Sequence, residues 1–132
     1  MPPIALAPEA PALVLEPNDR APGHARRFLV ERFRELGIED DFVGRLVVTE
    51  LVTNAFKHVG FGHIVVRIFP DGRDDLVTIE VWNQGTGHPV VRPEDADAIC
   101  GRGLAMMTRL VHDWGVRPLA EGGKIVWARC PR

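Results

Sequence analysis

The segment from Asp41 to His58 has the periodicity of an amphipathic helix, yet its apolar face includes two polar residues. At 100° per residue, one arc of roughly 140° comprises Val43, Leu46, Val47, Glu50, Leu51 and Asn54. Glu50 and Asn54 therefore belong to the face that a packed layer must cover. A carboxylate or an amide buried there without a partner costs on the order of 1 to 3 kcal/mol. We therefore expect both side chains to have partners.

Two interpretations of this polar pair are open from the residues alone. In the first, Glu50 hydrogen-bonds Asn54 one helical turn later, or both side chains reach backbone groups. In the second, the pair points into a cavity that a ligand or a hydrated cation fills. An amide oxygen is a hard ligand suited to Mg²⁺, and a carboxylate one turn away can hold a water or accept a proton. Lys57 would then add a positive charge at the mouth of the cavity.

Periodic patterns on both sides of this segment indicate the fold class. Helical patterns span residues 20–36 and 104–114, and strand patterns span residues 12–17, 63–69, 76–82, 115–119 and 124–130. Residues 63–69 and 76–82 flank a run of turn residues and should pair as an antiparallel hairpin. Gly60, just past the central helix, is suited to a left-handed conformation. The order predicts an α+β fold, a two-layer α/β sandwich with helices on one face of a mixed, mostly antiparallel sheet.

The length and composition fit one folded domain. Residues 1–11 contain four prolines and predict a flexible leader, so the 132-residue chain should fold over residues 12–132. A net charge of −2 without blocks of like charge argues against direct nucleic-acid binding. The amino terminus has no basic region and no run of about 20 apolar residues, so we expect a cytoplasmic protein with no membrane segment. Cys100 and Cys130 lack metal-ligand spacing and are expected to be reduced, structural thiols.

Two glycine-rich stretches adjoin predicted elements. The first, VWNQGTGHP at residues 81–89, begins as a strand ends, and its glycines allow the backbone to approach a flat ring closely. The second, CGRGLAMM at residues 100–107, has its glycines immediately before a helix, where free N–H groups and the helix dipole favour phosphate. Each alone also fits a plain surface turn or helix cap. The chain has no GxxxxGKS or GxxxxGKT motif and no GxGxxG after its first strand.

Taken together, ELVTNAFKH, NQGTG and GRGLAMM, in that order and spacing, resemble the three boxes of the GHKL ATPase superfamily. This superfamily includes DNA gyrase, histidine kinases and the mismatch-repair ATPases. Within it, the chain looks most like the stand-alone anti-sigma-factor serine kinases of bacteria. The resemblance extends from about Ala12 to Cys130. It implies a Bergerat-type ATP-binding fold with ATP and Mg²⁺ as ligands.

The resemblance also implies roles for individual residues. Glu50 would be the general base that polarises a water or a protein serine hydroxyl, and Asn54 would be the Mg²⁺ ligand. Lys57 and His58 would lie near the phosphates. The glycine boxes would supply the rest of the site: Asn83, Gly85 and Gly87 around the adenine, and Gly101, Arg102, Gly103 and Leu104 over the triphosphate. These last four residues would lie at the end of a short lid, formed by residues 86–100, and would close over the triphosphate.

Asn83 departs from the pattern that the chain resembles. The first glycine box normally opens with Asp, whose carboxylate accepts a hydrogen bond from the adenine amino group. An amide oxygen can still accept that bond, but without charge assistance, which would weaken ATP binding by on the order of 1 kcal/mol. Alternatively, Asn83 marks a member that prefers another purine or binds no nucleotide.

The activity implied by the resemblance is that of a serine/threonine kinase. Such a protein phosphorylates a small antagonist of the anti-anti-sigma type and otherwise sequesters a sigma factor. The alternative is a nucleotide-switched protein-binding module with little or no kinase activity. Arg26, Arg27 and Arg34 on the first helix could contact an acidic partner, or could form a solvated face together with Glu31 and Glu35. The resemblance also allows a homodimer.

Overall fold

The computed structural model describes residues 10–73, 75–85 and 99–132, with side chains described from Gly103 onward in the last range. The strands are β1 (Ala12–Leu15), β2 (Ile64–Pro70), β3 (Leu76–Asn83), β4 (Asp113–Pro118) and β5 (Lys124–Pro131), and the helices are α1 (Ala21–Glu35), α2 (Phe42–Asn54) and α3 (Ile99–Leu110). One π-helical turn, Ala55–Val59, continues α2. Of the predicted leader, only Ala10 and Pro11 are described. No helix within these ranges is long and apolar enough to cross a membrane.

The five strands form one sheet in the order β1-β2-β3-β5-β4. The predicted two-layer α+β sandwich is confirmed, and all four pairs of neighbouring strands are antiparallel, so the described sheet is not mixed. The register aligns inward residues in rows: Val66, Val81 and Val126 form one row, and Ile68, Ile79 and Ala128 form the next. Each of these six side chains is at most 4% exposed. The helices cover this face and complete the core.

Close packing holds α1 and α2 against each other and against the sheet. α1 buries Leu29 and Phe33 among its inward residues. Gly44 of α2 allows a close approach, because a Cβ atom at that position would lie 2.7 Å from Cζ of Phe33. Arg32 ties α1 to the sheet by donating from Nε and Nη2 to the carbonyl oxygen of Ile68, at 3.1 and 2.8 Å. These contacts fix the place of α2 over the sheet.

The third helix differs from the sequence prediction at both ends. It begins at Ile99, so Gly101 and Gly103 lie inside α3 and not before it. It ends at Leu110, and Trp114 lies in β4, where it pairs with Ala128 of β5. The spacing of Trp114 fits a helix only by coincidence, because an inward side chain on an edge strand satisfies the same apolar pattern.

Candidate functional site

The carboxyl-terminal end of α2 positions the two polar residues that stand out in the sequence. The helix packs on β3 and β5. Asn54, its last residue, is only 8% exposed, and Glu50, one turn earlier, is half-buried. The π-helical turn that follows Asn54 ends at Gly60, whose φ of 76° is the left-handed conformation that the sequence predicts. The chain therefore leaves the helix axis at Gly60, after one further turn beyond Asn54.

The side chain of Asn54 is buried without a hydrogen-bond partner. Neither Oδ1 nor Nδ2 contacts a donor or acceptor among the described residues. The interpretation in which Asn54 bonds Glu50 or a nearby backbone group is therefore wrong for this part of the chain. Because an unpaired buried amide costs on the order of 1 to 3 kcal/mol, a partner from outside the described residues would stabilise it. An amide oxygen in that position suits a hard cation such as Mg²⁺.

Glu50 lies directly against Gly103 of α3. A Cβ atom at Gly103 would overlap the Glu50 carboxylate, so a side chain at this point of the contact between α2 and α3 would force the carboxylate to move. This contact brings together the first and third sequence motifs, since Glu50 and Gly103 are 53 positions apart in the sequence. Gly103 thus has a steric role inside the helix, which explains a glycine at a position where it lowers helix propensity.

The first glycine motif packs against the π-helical turn. Asn83, the last residue of β3, is 7% exposed, and its Oδ1 accepts a hydrogen bond from the backbone N–H of Gly85 at 2.9 Å. A Cβ atom at Gly85 would lie 2.5 Å from Cγ2 of Val59. The end of β3 therefore lies beside the turn that follows Asn54. All three motifs meet around the carboxyl-terminal end of α2.

Lys124 is a candidate site residue that the sequence reasoning did not identify. It opens β5 directly opposite Asn83 in the antiparallel register, and it is 8% exposed. Along β5, Lys124 lies on the inward face together with Val126, Ala128 and Cys130. A lysine at the start of an inward apolar series is unusual, because a buried ammonium group needs a polar environment. In the sequence, the alternation of residues 124–130 was the feature that could have placed Lys124 on the inward face.

Comparison with known families identifies this arrangement. The family model described as the histidine kinase-like ATPase domain matches residues 15–130. The chain belongs to this family. The match begins at the last residue of β1 and ends in β5, so it includes every helix and the whole described site. A comparison with curated proteins gave no match.

Not all the site residues predicted for this histidine kinase-like ATPase domain fall on described side chains. Gly87 and residues 86–98 of the predicted lid lie outside the described residues, and only the backbone of Gly101 and Arg102 is described, within α3. Lys57 and His58 are exposed on the π-helical turn. The side chain of Leu104 is 2% exposed and belongs to the core. Membership in the family indicates ATP binding, and the described residues that converge are Glu50, Asn54, Asn83, Gly85 and Gly103.

Burial changes the acid–base properties of the site. Desolvation raises the pKa of the Glu50 carboxyl above its ordinary value, and the positive charge of Lys57 opposes this shift. Burial also raises the pKa of the Cys130 thiol to about 12, so this cysteine is a neutral core residue, as predicted. Within the described part of the chain, no group of three His, Cys, Asp or Glu residues could hold a metal ion. Among the described residues, the unpaired amide of Asn54 is a candidate ligand for a cation.

Replacement of Asn54 by leucine is expected to stabilise the nucleotide-free domain. The Asn54→Leu change keeps the branched shape and the number of heavy atoms of the side chain and removes an unsatisfied amide, so the free energy of unfolding should rise by about 1 kcal/mol or more. Asn83→Leu is the matched control, because this equally buried amide accepts a hydrogen bond from Gly85 and its loss should lower the free energy of unfolding by about 1 kcal/mol. Urea unfolding measures both. A destabilised Asn54→Leu variant would contradict the assignment of an unpaired amide.

The raised pKa of Glu50 predicts a pH-dependent effect on stability. The folded state disfavours the charged carboxylate, so the stability that this group contributes is present below its ordinary pKa of 4.5 and is lost as the pH rises through the folded pKa. Glu50→Gln should therefore be more stable than the wild type at about pH 7 and similar to it at about pH 4. Urea unfolding at both pH values tests this, with Glu39→Gln as the exposed control. Equal stability at both pH values would rule out the burial effect.

Proposed function

We propose that this protein is a Mg²⁺–ATP-dependent serine/threonine kinase of the anti-sigma-factor type. It transfers the γ-phosphate of ATP to a hydroxyl group of a partner protein. The observation that carries the proposal is the buried, unpaired amide of Asn54, one helical turn from the half-buried carboxylate of Glu50. Family membership supports ATP as the phosphate donor.

Asn54 is the residue that would hold Mg²⁺. Its Oδ1 is a neutral, hard oxygen ligand, and no described residue competes for it. Mg²⁺ keeps most of its water ligands and is commonly held by one or two protein groups together with substrate phosphates, so a single amide is sufficient. When bound, Mg²⁺ supplies charge neutralisation at the phosphates.

Glu50 is the proposed general base. It takes the proton of the partner's hydroxyl group while the hydroxyl oxygen bonds to the γ-phosphorus, and the bond to the β–γ bridging oxygen breaks to release ADP. A carboxylate is a better proton acceptor when its pKa is closer to the working pH, and burial moves the pKa of Glu50 in that direction. The contact with Gly103 limits the positions available to the carboxylate. A proton on Glu50 would then pass to solvent after transfer.

Two exposed residues and one helix end support the binding of an anionic ligand. Lys57 and His58 lie exposed on the turn that follows Asn54. The backbone N–H groups in the first turn of α3, near Gly101 and Arg102, point toward the amino-terminal end of that helix, where an anion is favoured. We assign these groups to the phosphates, and Asn83, Gly85 and Gly87 to the base.

A groove between α1 and α2 supports a protein partner. Its volume is about 420 Å³, and it is lined by Gly23, Arg26, Arg27, Val30, Glu31, Arg34 and Arg45. Four of these seven residues are arginines, so the groove favours an acidic surface. By resemblance, the partners are a sigma factor and an antagonist of the anti-anti-sigma type, and the protein acts in the cytoplasm, as a monomer or as a homodimer.

A nucleotide-switched binding module is the second candidate. The arginine-lined groove between α1 and α2 favours it, because that groove offers a protein-binding surface that needs no phosphoryl transfer. In this alternative the same site binds nucleotide, and its occupancy changes a protein-binding surface without phosphoryl transfer. Glu50 would then have no role in chemistry.

The test separates nucleotide binding from catalysis. Glu50→Gln should bind Mg²⁺–ATP with a dissociation constant within about threefold of the wild-type value, while hydrolysis of ATP, with water in place of the hydroxyl group, falls by about 10²–10⁴-fold. Asn54→Ala should lose Mg²⁺-dependent binding. Calorimetry and phosphate release measure the two properties, and Glu39→Gln should match the wild type in both. Unchanged hydrolysis in Glu50→Gln would favour the binding module, and absence of ATP binding in the wild type would overturn both candidates.

A further inference from the structure

The edge of the sheet where β3 ends and β5 begins carries two buried polar side chains. Asn83 and Lys124 are directly opposite each other in the register and are 7% and 8% exposed. Directly opposed residues have Cβ atoms about 4.5 to 5.5 Å apart and project from the same face of a sheet. The face is the inward one, because Val81 and Val126 occupy the next inward row. These two side chains adjoin Gly85, which is assigned above to the nucleotide base together with Asn83.

The local backbone fixes the orientation of the Asn83 amide. Its Oδ1 accepts a hydrogen bond from the Gly85 N–H at 2.9 Å, which only the oxygen of the amide can do. The oxygen therefore points toward Gly85, and the amino group Nδ2 points to the other side. Asn83 thus presents two N–H donors away from the Gly85 turn, and its oxygen retains one lone pair.

Lys124 adds a positive charge beside Asn83. A protonated lysine side chain has no hydrogen-bond acceptor, so it cannot accept from an amino group. Its burial lowers its pKa, in agreement with a position away from bulk water. Gly123, which precedes it, packs against the carbonyl oxygen of Asn83: a Cβ atom there would lie 2.6 Å from that oxygen. The turn before β5 therefore holds the start of this strand close to Asn83.

We propose that the base subsite recognises a 6-keto purine, such as guanine or hypoxanthine, more tightly than adenine. Adenine presents an amino donor at C6, whereas guanine presents the carbonyl acceptor O6 at the same position. The N–H donors of Asn83 match a carbonyl group and mismatch an amino group, and the positive charge of Lys124 favours the partial negative charge of a carbonyl oxygen. The proposal rests on the proposed function, because it assigns the base specificity of the same nucleotide site.

The expected preference is modest. One matched hydrogen bond in place of a mismatch corresponds to about tenfold in the dissociation constant, and the remaining lone pair of Asn83 still allows ATP to bind. The sequence alone suggested a weakened adenine contact. The structure adds the orientation of the amide and the lysine opposite it, which together favour the other class of purine.

The test is a calorimetric comparison of non-hydrolysable ATP and GTP analogues on the wild-type protein with Mg²⁺. The GTP analogue should bind about tenfold more tightly than the ATP analogue. ITP, which has the C6 carbonyl but lacks the 2-amino group of guanine, should bind like GTP. ATP binding at least as tight as GTP binding would overturn this inference and leave the proposed function standing. Absence of binding by all three nucleotides would overturn both.

Two variants assign the preference to the residues. Asn83→Asp keeps an oxygen for the Gly85 N–H and replaces the amino group by a second acceptor, so the preference should shift toward ATP by about tenfold. Lys124→Met keeps the apolar stem and should weaken GTP binding by about threefold to tenfold with little effect on ATP. Urea unfolding confirms that each variant is folded. A GTP preference that survives in both folded variants would overturn the assignment to Asn83 and Lys124.

Discussion

The burial of Asn54 at the carboxyl-terminal end of α2 is the constraint around which the site is built. The helix must lie flat on β3 and β5 to bury its valines and leucines, and this packing carries Asn54 into the interior. The helical ladder continues through the π-helical turn, so the backbone next to the amide is already hydrogen-bonded. The free energy gained by burying the apolar side chains of α2 thus offsets the cost of an unpaired amide. If position 54 contributed only to stability, leucine there would give a higher free energy of unfolding than asparagine.

Glycines bring the other groups to this point. Gly103 allows the carboxylate of Glu50 to lie against α3, and Gly85 allows the end of β3 to lie against Val59. In both places a side chain would occupy the space that another group needs. The same contacts place a candidate proton acceptor, a candidate cation ligand and the candidate base subsite on one helix end. The proposed phosphoryl transfer would depend mainly on such positioning, which a small domain can provide.

Much of this arrangement could be predicted from the sequence, because it depends on local periodicity. The apolar stripe of α2 correctly places Glu50 and Asn54 on the inward face, and alternation correctly gives the β2–β3 hairpin. The start of α3 could not be predicted in the same way, because glycine lowers helix propensity and the contact of Gly103 with Glu50 joins distant parts of the chain. The pairing of Lys124 with Asn83 depends on the register between distant strands. Local patterns do not determine that register.

The side-chain amide resonances of Asn54 provide the most direct test of the central claim, which is that this amide holds the magnesium ion of a bound nucleotide. Two-dimensional nitrogen–proton NMR of the protein would record them with Mg²⁺ alone, with nucleotide alone and with both, after assignment through Asn54→Leu. The account predicts a large shift only when Mg²⁺ and nucleotide are both present. Unshifted Asn54 resonances in a protein saturated with Mg²⁺ and nucleotide would contradict it.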